Sequence, residues 1–291
     1  MFNILKIYIM INYVDETLFN NNNLPDKVTV STISCTCKLN TEFNLVNIND
    51  HLKLNEDDVL TIKYNNSIKS LDPKVIKKYY QKQKKKKNRN FFNQLTIEVK
   101  TNNNRKINAK LFKNGSVQLT GCKSMIDVNV VLNKMIKRLE KVVAVLVDDN
   151  EIVEKPFYNL DKKIKMTNFD INMINSNFSV DYEINRESLY NILLTNKVTC
   201  TYEPCIHACI NIKYKLDTGK VSIFVFQSGH IIITGAKTED QIQKSYDYIQ
   251  KILADNFHNI QKKKISSIFD DEEFNELLST DIKKSPVIKA M

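Results

Sequence analysis

The residues best suited to chemistry in this chain are Cys200, Cys205, His207 and Cys209. The last three alternate along one strand-like face, and thiolate and imidazole donors are the ligands zinc prefers. A structural zinc site draws on paired elements such as Cys-x-x-Cys or His-x-x-x-His, and no second element accompanies this one. No metal is expected, and buried or surface thiols are the simpler reading. Other reactive arrangements are missing from the sequence as well. No paired carboxylates sit on a helical scaffold, no glycine-rich loop is spaced to cradle a phosphate, and no Ser or Cys nucleophile stands in a motif with a partner His. The chain is expected to bind rather than to catalyse, and to use no cofactor.

What it binds is suggested by charge. A formal net charge of +10 gives a positive potential that attracts polyanions, of which nucleic acid is the commonest. The densest run, Lys84-Lys85-Lys86-Lys87-Asn88-Arg89, falls in residues 64–90, which read as a solvated, flexible insertion. With 291 residues, 42% of them hydrophobic, the chain can build one large core or two modest ones. Six cysteines without secretory features read as reduced intracellular thiols. The apolar start, Met1 to Met10, gives way to Asn12, Asp15 and Glu16, well short of the roughly 20 apolar residues that cross a bilayer. No membrane partner is expected.

The elements that would position a binding surface come in two copies. Leu111-Phe112-Lys113-Asn114-Gly115 through Thr120-Gly121-Cys122-Lys123 repeats, 114 positions later, as Val225-Phe226-Gln227-Ser228-Gly229 through Thr234-Gly235-Ala236-Lys237. Each copy reads as a β-hairpin turning at Gly115 or Gly229, with strands at 109–113 and 116–120 in the first and 221–227 and 230–234 in the second. The period then changes to that of a helix, with Leu132, Met135 and Leu139 on one face and Tyr246, Ile249 and Leu253 on its counterpart. Further strands are expected at 27–38, 95–100, 171–180 and 209–215, and a helix at 186–194 capped by Asn185. The plan divides the chain into an extension (1–24), a first repeat (25–143), a connector (144–168), a second repeat (169–255) and a tail (256–291). The Thr of Thr-Gly-x-Lys could also serve as a helix cap.

These motifs resemble the TATA-box-binding protein family. The likeness rests on Phe226-Gln227-Ser228-Gly229 with Thr234-Gly235-Ala236-Lys237, their twins at Phe112 and Thr120-Gly121-Cys122-Lys123, Val30-Ser31-Thr32 followed by Cys37-Lys38-Leu39, and Tyr202-Glu203-Pro204. It implies an α+β, two-fold pseudo-symmetric saddle: one curved antiparallel sheet with helices on the convex face and double-stranded AT-rich promoter DNA, held by its minor groove, on the concave face. The AT-biased usage of Asn, Lys and Ile and the divergence of the motifs suit a large DNA virus or a reduced eukaryotic parasite. The expected location is intracellular, in the nucleus or, for a virus, in a cytoplasmic viral factory or the virion.

Carried over residue by residue, the resemblance implies that Phe112 and Phe226 are the hairpin wedges that enter base steps. Their partners fall on Phe92, or on Phe91 because the loop at 101–105 is lengthened, and on His207, which stacks on a base but is smaller and more polar than Phe. Thr120, Thr234 and Ile232 would face the groove, with Gln118 as the polar twin of Ile232. The paired central asparagines fall on Val28 and Met173, or on Asn172 with a one-residue shift; Asn175 lies on the same strand face where a valine is expected. Lys213 would meet phosphate and Ser228 matches a hydroxyl, whereas Glu98 replaces an arginine and should weaken the first half-site. Phe112, Phe224 and Phe226 can equally be read as core residues of a half-buried sheet, and Phe224 shares a strand face with Phe226.

The implied function is a transcription initiation factor that binds and bends promoter DNA and recruits transcription factor IIB-like and RNA polymerase components, with Glu203 in the element that contacts the former. The alternative is a module of the same fold for architecture or protein interaction, without strict TATA specificity. The tail places Phe274, Leu277 and Leu278 on one helical face amid acidic residues, fit either to dock on a partner or to pack on its own domain.

Overall fold

The structure, a computed structural model, describes residues 11–83, 92–147, 151–161 and 164–262. The first copy contributes β1 (Thr29–Leu39), α1 (Leu45–His51), β2 (Val59–Tyr64), β3 (Ser67–Ser70), α2 (Pro73–Gln83), β4 (Gln94–Lys100), β5 (Lys106–Phe112), β6 (Ser116–Cys122) and α3 (Met125–Leu139). A two-stranded ribbon, β7 (Val143–Val147) with β8 (Glu151–Lys155), forms the connector. The second copy supplies β9 (Met166–Ser179), α4 (Arg186–Thr195), β10 (Cys200–Thr201), β11 (Cys209–Leu216), β12 (Gly219–Phe226), β13 (His230–Ala236), α5 (Glu239–Asp255) and α6 (Phe257–Ile260).

The strands form one eleven-stranded antiparallel sheet in the order β10-β11-β12-β13-β9-β1-β6-β5-β4-β2-β3. That order is a palindrome about the β9–β1 seam, with β3 added at one edge. Ile33 pairs with Ile174 at the seam, and each also meets the end of its own hairpin, Ile33 against Cys122 and Ile174 against Ala236. The sheet is therefore two copies of one half-sheet turned about a pseudo-two-fold axis through the Ile33–Ile174 pair.

Alternation along each strand decides which face is buried. In the first copy Leu95, Ile97, Val99, Ile107, Ala109, Leu111, Val117 and Leu119 are buried beneath Val128, Leu132, Met135 and Leu139 of α3. In the second, Ile210, Ile212, Val221, Ile223, Val225, Ile231 and Ile233 lie beneath Ile242, Ile249 and Leu253 of α5. Each such aliphatic side chain contributes about 1.5–3 kcal/mol through burial, so the helices hold the convex side and leave the other face of the sheet open. Gly115 and Gly229 hold positive φ of 84° and 79° at the hairpin tips, and a Cβ there would stand 2.1 Å from Thr41 O and 2.5 Å from Tyr182 O. Only glycine lets the segment between the long strand and its following helix cross the hairpin this closely.

Several elements depart from the sequence reading. Thr120 and Thr234 remain in strands, and the caps are Ser124 and Thr238. Each cap accepts from the N3 amide, and the N3 side chain, Asp127 or Gln241, reaches back to the amide of Lys123 or Lys237 at 2.8 and 2.7 Å. The expected flexible insertion contains β3 and α2, where Thr61 and Ser70 hydroxyls meet at 2.9 Å and Tyr79 donates to Asn65 O at 3.1 Å; Lys84 to Arg89 lie outside the described residues. Strand β9 starts at Met166, earlier than the expected 171, because its first residues pair with Lys38 and Leu39 of β1. The described residues run to Lys262, with Ile260 buried and Gln261 bridged to Ile184; the acidic part of the tail, including Phe274, Leu277 and Leu278, lies outside them.

Residues 11–24, expected to stand apart, pack along the convex side. The buried Asn129 side chain accepts from Val14 N at 2.9 Å and donates to Val14 O at 3.0 Å, and the Asn20 amide donates to Glu239 of α5 at 2.6 Å. The segment thus ties a helix of one copy to a helix of the other. Nearby, Glu56, Asp57 and Asp58 pair with Arg138, Lys137 and Lys134 of α3 at 2.8, 2.9 and 2.7 Å. The cysteines are free, and Cys35, Cys37 and Cys122 are buried; burial pushes the Cys37 thiol up to about 12, which keeps it protonated and unreactive. No helix among the described residues is long and apolar enough to cross a membrane.

Two outcomes follow. Asn129→Ala should lower unfolding free energy by about 2 kcal/mol in denaturant titration, since both Val14 backbone groups lose a buried partner, and amide exchange at Val14 should accelerate. For Asp57, burial alone would raise the pKa, but hydrogen bonds and charge from Lys137 and Lys141 hold it below the ordinary 3.8. Its contribution is present above that value and is lost as pH falls through the lower folded value. Asp57→Asn should therefore cost about 1 kcal/mol at neutral pH and flatten that acid limb in melts taken from pH 7 downward.

Candidate nucleic-acid interface

The open face of the sheet carries the side chains that alternate with the core. In the second half, register sets Cys209 against Phe226, Asn211 against Phe224 and Lys213 against Ser222. It continues with Phe224 against Ile232, Ser222 against Thr234, Ile232 against Asn177 and Thr234 against Asn175. The first half repeats this with Gln94 against Phe112, Thr96 against Lys110 and Glu98 against Asn108. There Lys110 meets Gln118, Asn108 meets Thr120, Gln118 meets Thr36 and Thr120 meets Ser34. Each residue has a partner under the two-fold axis: Phe112 with Phe226, Lys110 with Phe224, Gln118 with Ile232, Thr120 with Thr234.

The structure brings most of the sequence-derived residues onto this face. Phe112 and Phe226 end their strands half-exposed, one near each end of the sheet, and the Phe226 ring lies 6.2 Å from that of His230. Phe92 is 63% exposed, in the turn before β4, where it borders a cleft with Phe43, Tyr64 and Lys113. His207 is exposed in the loop before β11, the matching place in the second half. Phe91 lies outside the described residues. Thr234 donates to Asn175 and sits 3.4 Å from the Met173 sulfur, which fixes all three near the centre of the face. Lys213 Nζ donates to Ser222 at 2.8 Å, Ile232 is half-buried between Phe224 and Asn177, and Ser228 is exposed in the hairpin turn. Phe224 and Phe226 both face outward from the core, so the register leaves neither in it.

Three sequence readings are corrected. Cys205 and His207 do not share a strand face with Cys209; they sit in an irregular loop, and no group of metal-ligating residues forms among the described residues. Val28 is not the partner of Met173: it precedes β1 and is buried, whereas Thr32 pairs with Asn175 and Ser34 with Met173, so the axis relates Thr32 to Met173. Asn172 is the unmatched residue of a β-bulge between Met173 and Ile171, which excludes the one-residue shift. The motif match thus sets this strand four residues out of register, because a strand of small polar residues slides easily in a pattern match.

Sequence reasoning missed Lys110, Lys215, Lys220, Thr36 and Asn177 on this face. The signal was period two from residues already chosen, Lys110 from Phe112 and Lys215 from Lys213. Lys215 and Lys220 are cross-strand neighbours, both exposed. Glu98 is met by Lys106 Nζ at 3.8 Å, which reduces but does not remove the acidic spot in the first half. Beside the second half, Arg186 holds the exposed loop, lying 5.4 Å from the Tyr202 ring and donating to Ala208 O at 2.6 Å, and Glu203 projects into solvent.

A family model described as transcription factor TFIID (or TATA-binding protein, TBP) matches residues 69–142 and 168–256. The TATA-box-binding protein-like protein of Acanthamoeba polyphaga mimivirus is 37% identical over 264 residues, covering 86% of this chain and 70% of that protein. TATA-box-binding protein 2 of Entamoeba histolytica is 28% identical over 114 residues, 38% of this chain and 51% of that protein. Among solved structures, Methanococcus jannaschii TBP aligns with a TM-score of 0.49 and 18% identity over 79% of this chain and 99% of that one. For the lysines at the rim, replacing Lys215 and Lys220 together by Ala should weaken binding to any duplex and lower the slope of log affinity against log salt by about 2, read by fluorescence anisotropy.

Proposed function

From the premise that this chain belongs to the TATA-box-binding protein family, we propose that it is a transcription initiation factor that seats its concave sheet in the minor groove of AT-rich promoter DNA and bends it. The observation that carries this reading is the pair of two-fold related half-faces, each ending in a half-exposed phenylalanine, Phe112 and Phe226. The minor groove presents nearly the same acceptors for A·T and T·A, so a reader with approximate two-fold symmetry loses little information there. Rings at both ends can enter base steps and hold the kink, and flexible pyrimidine–purine steps yield at the lowest energy. Phe92 stands beside Phe112 as a second wedge; His207 stands beside Phe226 as a weaker one. Lys213 supplies charge to phosphate, Ser228 a hydroxyl, and Thr120, Thr234, Asn175 and Ile232 meet the groove floor.

The exposed Glu203 is the proposed contact for a transcription factor IIB-like partner, and RNA polymerase components would follow. The proposed location is the nucleus or, for a viral protein, a cytoplasmic viral factory or the virion. A second reading, a DNA-architectural or protein-interaction module without strict TATA specificity, is favoured by Lys110 and Gln118, where the symmetry-related residues are Phe224 and Ile232.

Binding to a TATA duplex with an energy-transfer readout of bending, set against a scrambled GC-rich duplex across a salt series, separates the two. At least tenfold preference with bending, about 1.4 kcal/mol, is the expected result. Equal, steeply salt-dependent affinity for both duplexes would establish the second reading instead. In the same assay Phe226→Ala should reduce bending more than Lys84→Ala, and the reverse order would remove the wedge assignment.

A further inference from the structure

The two half-faces differ most in one cross-strand row. In the second half the row runs Asn211–Phe224–Ile232–Asn177. Its two-fold equivalent in the first half runs Thr96–Lys110–Gln118–Thr36. The neighbouring row is polar in both halves at its inner positions, Ser222–Thr234–Asn175 against Asn108–Thr120–Ser34, so the change is local: an aromatic–aliphatic pair has become an amine and a carboxamide.

That change bears on the one group that distinguishes base pairs in the minor groove. A·T pairs show only acceptors there, and G·C adds the guanine N2 amine, a donor. Against Phe224 and Ile232 the amine would lose water and find no acceptor, a cost of the kind that makes buried unpaired donors expensive. Gln118 offers a carboxamide oxygen at the equivalent position. Its side chain and that of Lys110 have no hydrogen-bond or ion-pair partner among the described residues, so both are available to a ligand. Lys110 donates to purine N3 or pyrimidine O2, which every base pair presents, and is therefore indifferent to the choice.

We propose that Gln118 is a specificity-determining residue that lets the first half-face accept a G·C pair while the second half-face, through Phe224 and Ile232, demands A·T. The protein then reads a composite site, one strict half and one tolerant half, and a single G·C pair fixes which way round it sits. This rests on the minor-groove reading above.

The test uses the full chain, an all-A·T duplex and duplexes carrying one G·C pair in one half. Cys205 is the exposed thiol. An iron chelate attached to it cuts the DNA end under the second copy and so reports orientation. The single-G·C duplex should bind within about threefold of the all-A·T one, with cutting confined to the all-A·T half. Gln118→Ile should make the single-G·C duplex bind at least about tenfold more weakly, within the usual range for a mismatched base pair, and scatter the cutting over both ends. The exchange is conservative for a strand surface, since β-branched residues suit it. Ile232→Gln should relax the second half in the same way. If the all-A·T duplex is bound and bent but the G·C duplex is cut equally at both ends, Gln118 has no such role while the proposed function stands. If the all-A·T duplex is neither bound nor bent, the proposed function fails and this inference with it.

Discussion

Everything on the open face depends on how β1 meets β9. These long strands form the seam between two half-sheets, and the Ile33–Ile174 pair at their crossing is buried and lies on the pseudo-two-fold axis. A slip of one residue would turn one strand over against the other, sending either Ile33 and Cys35 outward with Thr32 turned inward, or Ile174 outward with Asn175 turned inward. The bulges on either side, between Val30 and Thr32 and between Ser34 and Cys35, confine this register to a short central stretch and let the strands twist away beyond it. The seam therefore sets which residues of the two copies confront each other, and through them the alignment of both hairpins.

Around that seam the two faces of one sheet have been held to different standards. On the buried side, position after position is aliphatic in both copies, because any change of volume there opens a cavity or forces a clash. Gly115 and Gly229 persist for a backbone reason, the close crossing at each hairpin tip, and Gly121 and Gly235 share positive φ where the strand turns toward the helix. The open face carries no such constraint from folding. There Phe224 faces Lys110 across the axis, Ile232 faces Gln118 and Met173 faces Thr32, while Thr234 with Thr120, Phe226 with Phe112, and at the rim Lys215 with Lys100 and Lys220 with Lys106 remain alike. Symmetry belongs to the scaffold, and asymmetry is concentrated where a ligand would sit.

The same division explains what the sequence disclosed. Hairpins with Asn-Gly and Ser-Gly turns, the Asn185 cap and the apolar stripes of α3 and α5 were legible because local turn chemistry and periodicity decide them. Strand β1 was expected at 27–38 and forms at Thr29–Leu39, but its register was not legible, since Ser31, Thr32, Ser34 and Thr36 give no strong pattern and only pairing with β9 selects it. Helix α2 looked like solvated loop because its lysines outweigh a short stripe of Val75, Ile76 and Tyr79, which becomes half-buried where the helix meets β3 and Tyr79 reaches the Asn65 carbonyl. The capping role fell to Ser124 and Thr238 because Thr120 and Thr234 are still held in the strands, and each helix begins five residues later. The convex strap of residues 11–24 depends on Asn129, a buried amide whose partners lie more than a hundred residues away.

Net charge is informative only once its pairing is known. Four basic residues of the α3 region, Lys134, Lys137, Arg138 and Lys141, are spent on Glu56, Asp57 and Asp58, so the convex side presents much less positive field than its composition suggests. On the open face Lys106 partly offsets Glu98, and Lys237 pairs with Asp170 at 3.1 Å. Lys213, Lys215 and Lys220, by contrast, form no ion pair among the described residues and stand together at the edge of the second half. Lys100 and Lys110 of the first half form none either, so uncompensated charge, which acts over about 8 Å at physiological salt, lines the open face on both sides of the axis. What separates the halves is the floor between those lysines, apolar at Phe224 and Ile232 and polar at Lys110 and Gln118. Attraction for a polyanion is thus shared across the axis, and any discrimination between the halves has to come from that floor.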